Sequence, residues 1–99
     1  MKITIIIPAY NEEKRILKTL KQIKEYVKNR KEDFEIIVVD DGSVDNTIKV
    51  VREFDSKIAI LRNGKNQGKG YSLKRGMLAS KGDVTLFMDA DSSTKIEEL

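Results

Sequence analysis

Four apolar runs of strand length divide the chain, and the stretches between them carry apolar residues at helical spacing. Ile3-Thr4-Ile5-Ile6-Ile7 is β-branched throughout and apolar on both faces, as a buried strand of a parallel sheet would be. Pro8 should stop it. Asn11 suits an N-cap, and Glu12 and Glu13 suit the positive end of a helix. Ile16, Leu20, Ile23 and Val27 then fall on one helical face with lysines on the other, which predicts a helix over about residues 12–29. Phe34 to Val39 is the second strand, ending in Asp40-Asp41-Gly42-Ser43. Ser43 or Asp45 should cap a helix carrying Ile48, Val51 and Phe54 on one side. Lys57 to Leu61 forms a third, shorter strand. A polar loop, residues 62–70, leads into a helix over about 70–80 with Leu73, Met77 and Leu78 inward. Gly76 lowers helix propensity there by about 1 kcal/mol relative to Ala, which close packing against the sheet would explain. Val84 to Met88 is a fourth buried strand, and it runs straight into Asp89-Ala90-Asp91.

The alternation β-α-β-α-β-α-β with short connections specifies an α/β protein, a three-layer α/β/α sandwich around a mostly parallel, Rossmann-like sheet. Right-handed crossovers should place helices on both faces. No repeat or linker interrupts residues 1–99, which read as one domain. Ligands of such sheets bind beyond the carboxyl ends of the strands. The ends of strands one, two and four carry Pro8-Ala9-Tyr10-Asn11-Glu12, Asp40-Asp41 and Asp89-Ala90-Asp91, so three polar clusters should converge on one edge.

Composition narrows the chemistry available there. The chain has no cysteine and no histidine, so thiolate and imidazole metal sites are excluded, and catalysis must lean on carboxylates, lysines or a metal. A net charge of +3 suits an anionic small molecule or a membrane surface, and the basic residues do not cluster as a nucleic-acid footprint would. The apolar run from Ile3 to Ala9 is far too short to span a bilayer, so a cytoplasmic location is the expectation.

Asp89 and Asp91 repel each other unless a cation or a proton relieves them, and hard divalent ions such as Mg2+ or Mn2+ favour such oxygen ligands. The plainer reading is an acidic turn whose carboxylates cap backbone amides. Of Asp40 and Asp41, one should cap the turn and the other accept hydrogen bonds from a ligand. Tyr10 could stack on a base or cover the sheet edge; Glu12 could accept from a ligand or complement the helix dipole. Gly64-Lys65-Asn66-Gln67-Gly68-Lys69-Gly70 fails the phosphate-loop pattern, because three residues separate its first two glycines and no Ser or Thr follows the lysine. Lys69 can still meet a phosphate near the helix N-terminus.

Taken together, Ile7-Pro8-Ala9-Tyr10-Asn11-Glu12, Val39-Asp40-Asp41-Gly42-Ser43, Asn66-Gln67-Gly68-Lys69-Gly70 and Asp89-Ala90-Asp91 resemble the family 2 glycosyltransferases of the GT-A fold. Within them the chain is most similar to the polyprenyl (dolichyl) phosphate sugar synthases. The match runs over essentially the whole sequence. The resemblance implies binding of a UDP-sugar or GDP-sugar, with Pro8, Ala9, Tyr10 and Glu12 around base and ribose, and Val39 and Asp41 holding the base. Asp89 and Ala90 would meet the ribose and diphosphate. Asp91, with Asp89, would hold Mg2+ or Mn2+, and Ser93 stands where related synthases carry a further metal ligand.

Members of that family continue past the acidic triplet into an acceptor-binding half that supplies the general base and often the membrane contacts. The expectation is therefore a donor-binding half, truncated and incomplete as an isolated enzyme, whose full-length relatives serve a lipid-phosphate acceptor at a membrane surface. The alternative is a non-catalytic nucleotide-binding or assembly module. An unfinished sheet with open edges would favour a homo-oligomer paired through those edges.

Overall fold

A computed structural model describes residues 1–91. Strands β1 (Lys2–Ala9), β2 (Asp33–Asp40), β3 (Ala59–Arg62) and β4 (Val84–Phe87) alternate with helices α1 (Ile16–Val27), α2 (Thr47–Phe54) and α3 (Lys69–Ala79). The sheet has the order β3-β2-β1-β4 and every pair is parallel. The chain thus steps outward twice from β1, then crosses back to its far side. That reversal puts α1 and α2 on one face and α3 on the other. The first face packs Ile3, Ile5, Ile7 and Val38 against Ile16, Leu20, Ile23 and Val51; the second packs Ile6, Ile37 and Val39 with Leu61 under Leu73.

The α/β/α sandwich expected from the hydrophobic pattern is therefore present, with several local departures. Pro8 does not end β1. The carbonyls of Lys2 and Ile6 accept from Asp83 and Met88 on the β4 side, whereas that of Ala9 accepts from the Asp41 amide on the β2 side. Even-numbered residues of β1 therefore bond toward β4, and the missing N–H of Pro8 falls where that ladder has already ended at Ile6–Phe87. Pairing with β2 continues through Pro8 to Ala9.

Asn11 is not a helix cap. It takes the left-handed conformation, φ 52°, and its side-chain oxygen accepts from the Val44 amide at 2.9 Å. A turn in which Arg15 and Ile16 both donate to the Glu12 carbonyl precedes α1, so the helix starts at Ile16. Ser43 does not cap α2 either, since its hydroxyl accepts from the Asn11 amide; Asp45 does reach the Thr47 amide at 3.0 Å.

On α3, Ser72 and Gly76 form the buried stripe, Leu73 packs at its side, and Met77 and Leu78 are exposed, contrary to expectation. The reason is the close approach of helix and sheet. A Cβ at Gly76 would stand 2.6 Å from Ile6 Cγ2, so the glycine faces the sheet and turns Leu78, two positions on, to the opposite side. Finally, β4 is an edge strand rather than a fully buried one, and Val84 and Phe87 are partly exposed.

Candidate functional site

The order β3-β2-β1-β4 has its reversal between β1 and β4, and a crevice beyond the carboxyl ends of the strands is expected there. A cleft of about 460 Å3 occupies that place. β1 supplies Pro8 and Ala9, and the loop after it Tyr10 and Glu12; Asp41 directly follows β2; the segment after β4 supplies Asp89, Ala90 and Asp91. From α3 and the loop before it come Asn66, Gly68, Lys69 and Ser72.

The two acidic pairs are set differently. Side chains along β2 alternate between the faces, so Asp40 turns with Val38 toward α1 and α2, and Asp41 turns with Val39 toward α3. Asp40 is wholly buried, and its Oδ2 accepts from the Ser43 amide at 3.0 Å, closing the turn. Asp41 clasps the loop before α3. Its Oδ1 accepts from the Gln67 amide at 2.7 Å and Asn63 Nδ2 at 2.8 Å, and its Oδ2 from the Gly68 amide at 2.9 Å. Burial opposes the charge on Asp41, but the Gln67, Asn63, Gly68 and Ser72 donors outweigh it and hold the carboxyl below its ordinary range. Arg75 fixes the amide of Asn63 in turn, donating to Asn63 Oδ1 at 2.9 Å and to the Arg62 carbonyl at 2.7 Å.

Beyond β4 the alternation works differently. Met88 and Ala90 turn into the core beside α1, and the Ala90 carbonyl accepts from the buried Thr19 hydroxyl at 2.6 Å. Asp89 and Asp91 are thereby left facing the cleft, where Asp89 Oδ1 lies 2.6 Å from Lys69 Nζ. A small residue between two carboxylates is what this placement needs.

The loop after β1 is braced by the loop after β2. Ser43, Thr47 and Asp45 accept from the amides of Asn11, Glu12 and Glu13, while the Glu13 carboxylate accepts from the Asn46 amide. This brace sets Tyr10, half exposed, at the mouth of the cleft and Glu12 beside it.

Of the residues singled out from sequence, Pro8, Ala9, Tyr10, Glu12, Asp41, Lys69, Asp89, Ala90 and Asp91 come together in the cleft. Val39 does not. It lies one pleat below Asp41, fully buried with Ile6, Ile37, Leu61 and Leu73. Ser93 lies outside the described residues. Asn63, Asn66, Gly68 and Ser72 were not singled out. Asn66 and Gly68 sit inside a motif that was quoted whole, and Ser72 follows Lys69 by three residues on a helix, a spacing that puts both on one side.

The donor set fits a hard divalent cation: two carboxylates on one side of an open cleft, with room for further oxygen ligands. Among the described residues no three acidic, histidine or cysteine side chains gather into a closed metal site. No helix among them is long and apolar enough to cross a membrane.

A family model described as glycosyl transferase family 2 matches residues 4–99. The chain belongs to that family. Among relatives of this family 2 chain, a dolichyl-phosphate beta-glucosyltransferase of Trichomonas vaginalis is 43% identical, over 96% of the chain and 31% of the relative. The dolichyl-phosphate beta-glucosyltransferase of Homo sapiens is 34% identical, over 98% of the chain and 33% of the relative. The chain thus spans about a third of the length of the curated relatives it matches. Among solved structures, TarS of S. aureus in complex with UDP-GlcNAc superposes with a TM-score of 0.80 at 31% identity, covering 92% of this chain and 27% of that one. A mannosyltransferase from Pyrobaculum calidifontis in complex with GDP-Man and Mn2+ gives 0.79 at 31% identity, covering 90% and 27%. The fold of this chain is that of the GT-A glycosyltransferases.

Proposed function

We propose that this family 2 domain binds the nucleoside diphosphate sugar of a glycosyl transfer whose acceptor is a polyprenyl phosphate. The single observation that carries the reading is the cleft at the β1/β4 reversal, where Tyr10, Glu12, Asp41, Lys69, Asp89 and Asp91 meet from four separate elements. A nucleoside diphosphate asks for this assortment. The half-exposed Tyr10 ring offers a face to the base. Asp41 is already ionised and fixed in orientation by its loop donors, so it meets a base N–H without rearranging. Glu12 accepts from the ribose hydroxyls. Lys69 and the first turn of α3 face the diphosphate, an arrangement suited to anions.

Asp89 and Asp91 would hold Mg2+ or Mn2+ against that diphosphate. Such a cation, when bound, neutralises charge on the leaving nucleoside diphosphate. The Mn2+ in the structure of the Pyrobaculum mannosyltransferase supports this assignment. The relatives' names, dolichyl-phosphate beta-glucosyltransferases at 43% and 34% identity, support a polyprenyl phosphate as the acceptor. In the transfer, an oxygen of the acceptor phosphate bonds to the anomeric carbon while the bond from that carbon to the diphosphate oxygen breaks, its electron pair leaving with the diphosphate. A phosphate is already anionic and needs no base to deprotonate it. A lipid acceptor would place the reaction at a membrane surface.

Calorimetric titration with UDP and with GDP, each with and without Mn2+, tests the reading. Mn2+-dependent binding of one diphosphate, abolished in Asp91→Ala, is the expected result. Absence of binding by either diphosphate at millimolar concentration would overturn it.

A further inference from the structure

We infer that Lys69 is an internal counter-ion that occupies the metal-facing oxygen of Asp89 and is exchanged for the metal when the diphosphate arrives. The inference rests on the donor-site reading above. Its observation is the ion pair between Lys69 Nζ and Asp89 Oδ1 at 2.6 Å, directly inside the cleft. An oxygen bound to Mg2+ or Mn2+ stands about 2.1 Å from the ion. A divalent ion and an ammonium cannot both sit against Oδ1 without strong repulsion between them. Entry of the metal at Oδ1 of Asp89 therefore requires Lys69 to leave.

The structure also shows where Lys69 can go. It is the first residue of α3, its side chain is about 61% exposed, and its four-carbon stem is free to swing. Gly68 and Gly70 flank it, and a Cβ at either would meet nothing within 4 Å, so the backbone around the helix start is open to an approaching group. An anion seated there meets both the amides of the first turn and the released ammonium. The diphosphate brings that anion. One side chain thus opposes the metal when it comes alone and assists it when it comes with the nucleotide. Metal and diphosphate binding become cooperative through Lys69, and reciprocally so.

The consequence is a pair of changes of opposite sign in one variant. In Lys69→Met, which keeps the stem and removes the charge, Mn2+ alone should bind about fivefold tighter, whereas UDP or GDP in saturating Mn2+ should bind about tenfold weaker. Lys69→Arg should restore most of the cooperativity. Mn2+ binding is read by electron paramagnetic resonance of the free ion, and nucleotide binding by calorimetry, so neither needs turnover. A purely structural role for Lys69 would move both affinities the same way and would overturn the inference, as would no change in either. If the unsubstituted chain binds neither diphosphate in the presence of Mn2+, the donor-site reading fails and this one with it. If it binds but Lys69→Met leaves the coupling intact, only this one fails.

Discussion

Two acidic pairs stand at the ends of β2 and β4, on either side of β1, and they have opposite fates. At the end of β2 the carboxylates are buried and held by the chain's own donors: Asp40 Oδ2 by the Ser43 amide, Asp41 by the Gln67 and Gly68 amides and the Asn63 side chain. Beyond β4, Asp89 and Asp91 face the cleft, and Asp89 Oδ1 pairs with the ammonium of the exposed Lys69. Both pairs follow an apolar strand in the sequence. What separates them is the backbone opposite. A glycine turn and a loop folded back over β2 aim N–H groups at the first pair, and the core takes Met88 and Ala90 away from the second. A carboxylate surrounded by amides is held in one orientation before any ligand arrives.

That division can be broken by substitution, with effects on stability that decrease across the site. Asp41→Ala should be the most damaging, because it strands the Gln67 and Gly68 amides and the Asn63 side chain. Unpairing one buried and two part-buried donors should cost on the order of 3 kcal/mol together, and lower the melting temperature by roughly 10–20 °C for a domain of this size. Thermal unfolding followed by circular dichroism measures it. Gly42→Ala comes next. Gly42 has φ 81° and a Cβ there would stand 2.7 Å from the Lys65 carbonyl carbon, so a loss of about 2 kcal/mol is expected in chemical denaturation.

A pH series sharpens the same comparison. The Asp41 carboxyl is held below its ordinary range in the folded state, so its charge adds stability above about pH 4, where the unfolded residue is ionised. That contribution disappears as the pH falls through the lower folded value. The stability gap between the unsubstituted chain and Asp41→Asn should therefore be widest at neutral pH and narrow below about pH 4. A gap independent of pH would mean that the loop is held without the charge. The smallest change in stability belongs to Asp89→Asn and Asp91→Asn, which should alter it by no more than about 0.5 kcal/mol while abolishing Mn2+-dependent diphosphate binding. A large loss of stability in either would erase the distinction between the two pairs.

Much of this arrangement was legible in the sequence. The β-branched run of β1 reads as a strand buried on both faces, and helical spacing between the four apolar runs gives the α/β order, so the convergence of the strand ends followed. Boundaries that depend on contacts across the fold were not legible. Asn11 has the composition of a cap, but its partner is Val44, thirty-three residues on, and no local rule reports that bond. Met77 and Leu78 satisfy helical spacing as an inward pair; the inward face is set instead by the notch at Gly76, which exists only once Ile6 lies beneath it. Val39 and Asp41 belong to one strand face, and only depth in the sheet decides that one is core and the other lines the cleft. Asn63 had no signal at all, since its importance comes from standing between Arg75 and Asp41.

Pro8 shows how little is needed to open such a cleft. β1 is zipped to β2 through Ala9, yet on the β4 side its rungs stop at Ile6, and the next residue facing that side, Pro8, has no N–H to donate to a further rung. The same strand is therefore one rung short on a single side. The width of the gap between Pro8 and Asp89 is written into the ladder itself rather than into the loops above it. Restoring a donor, as in Pro8→Ala, would permit one further rung to β4 and so narrow the cleft from the sheet side.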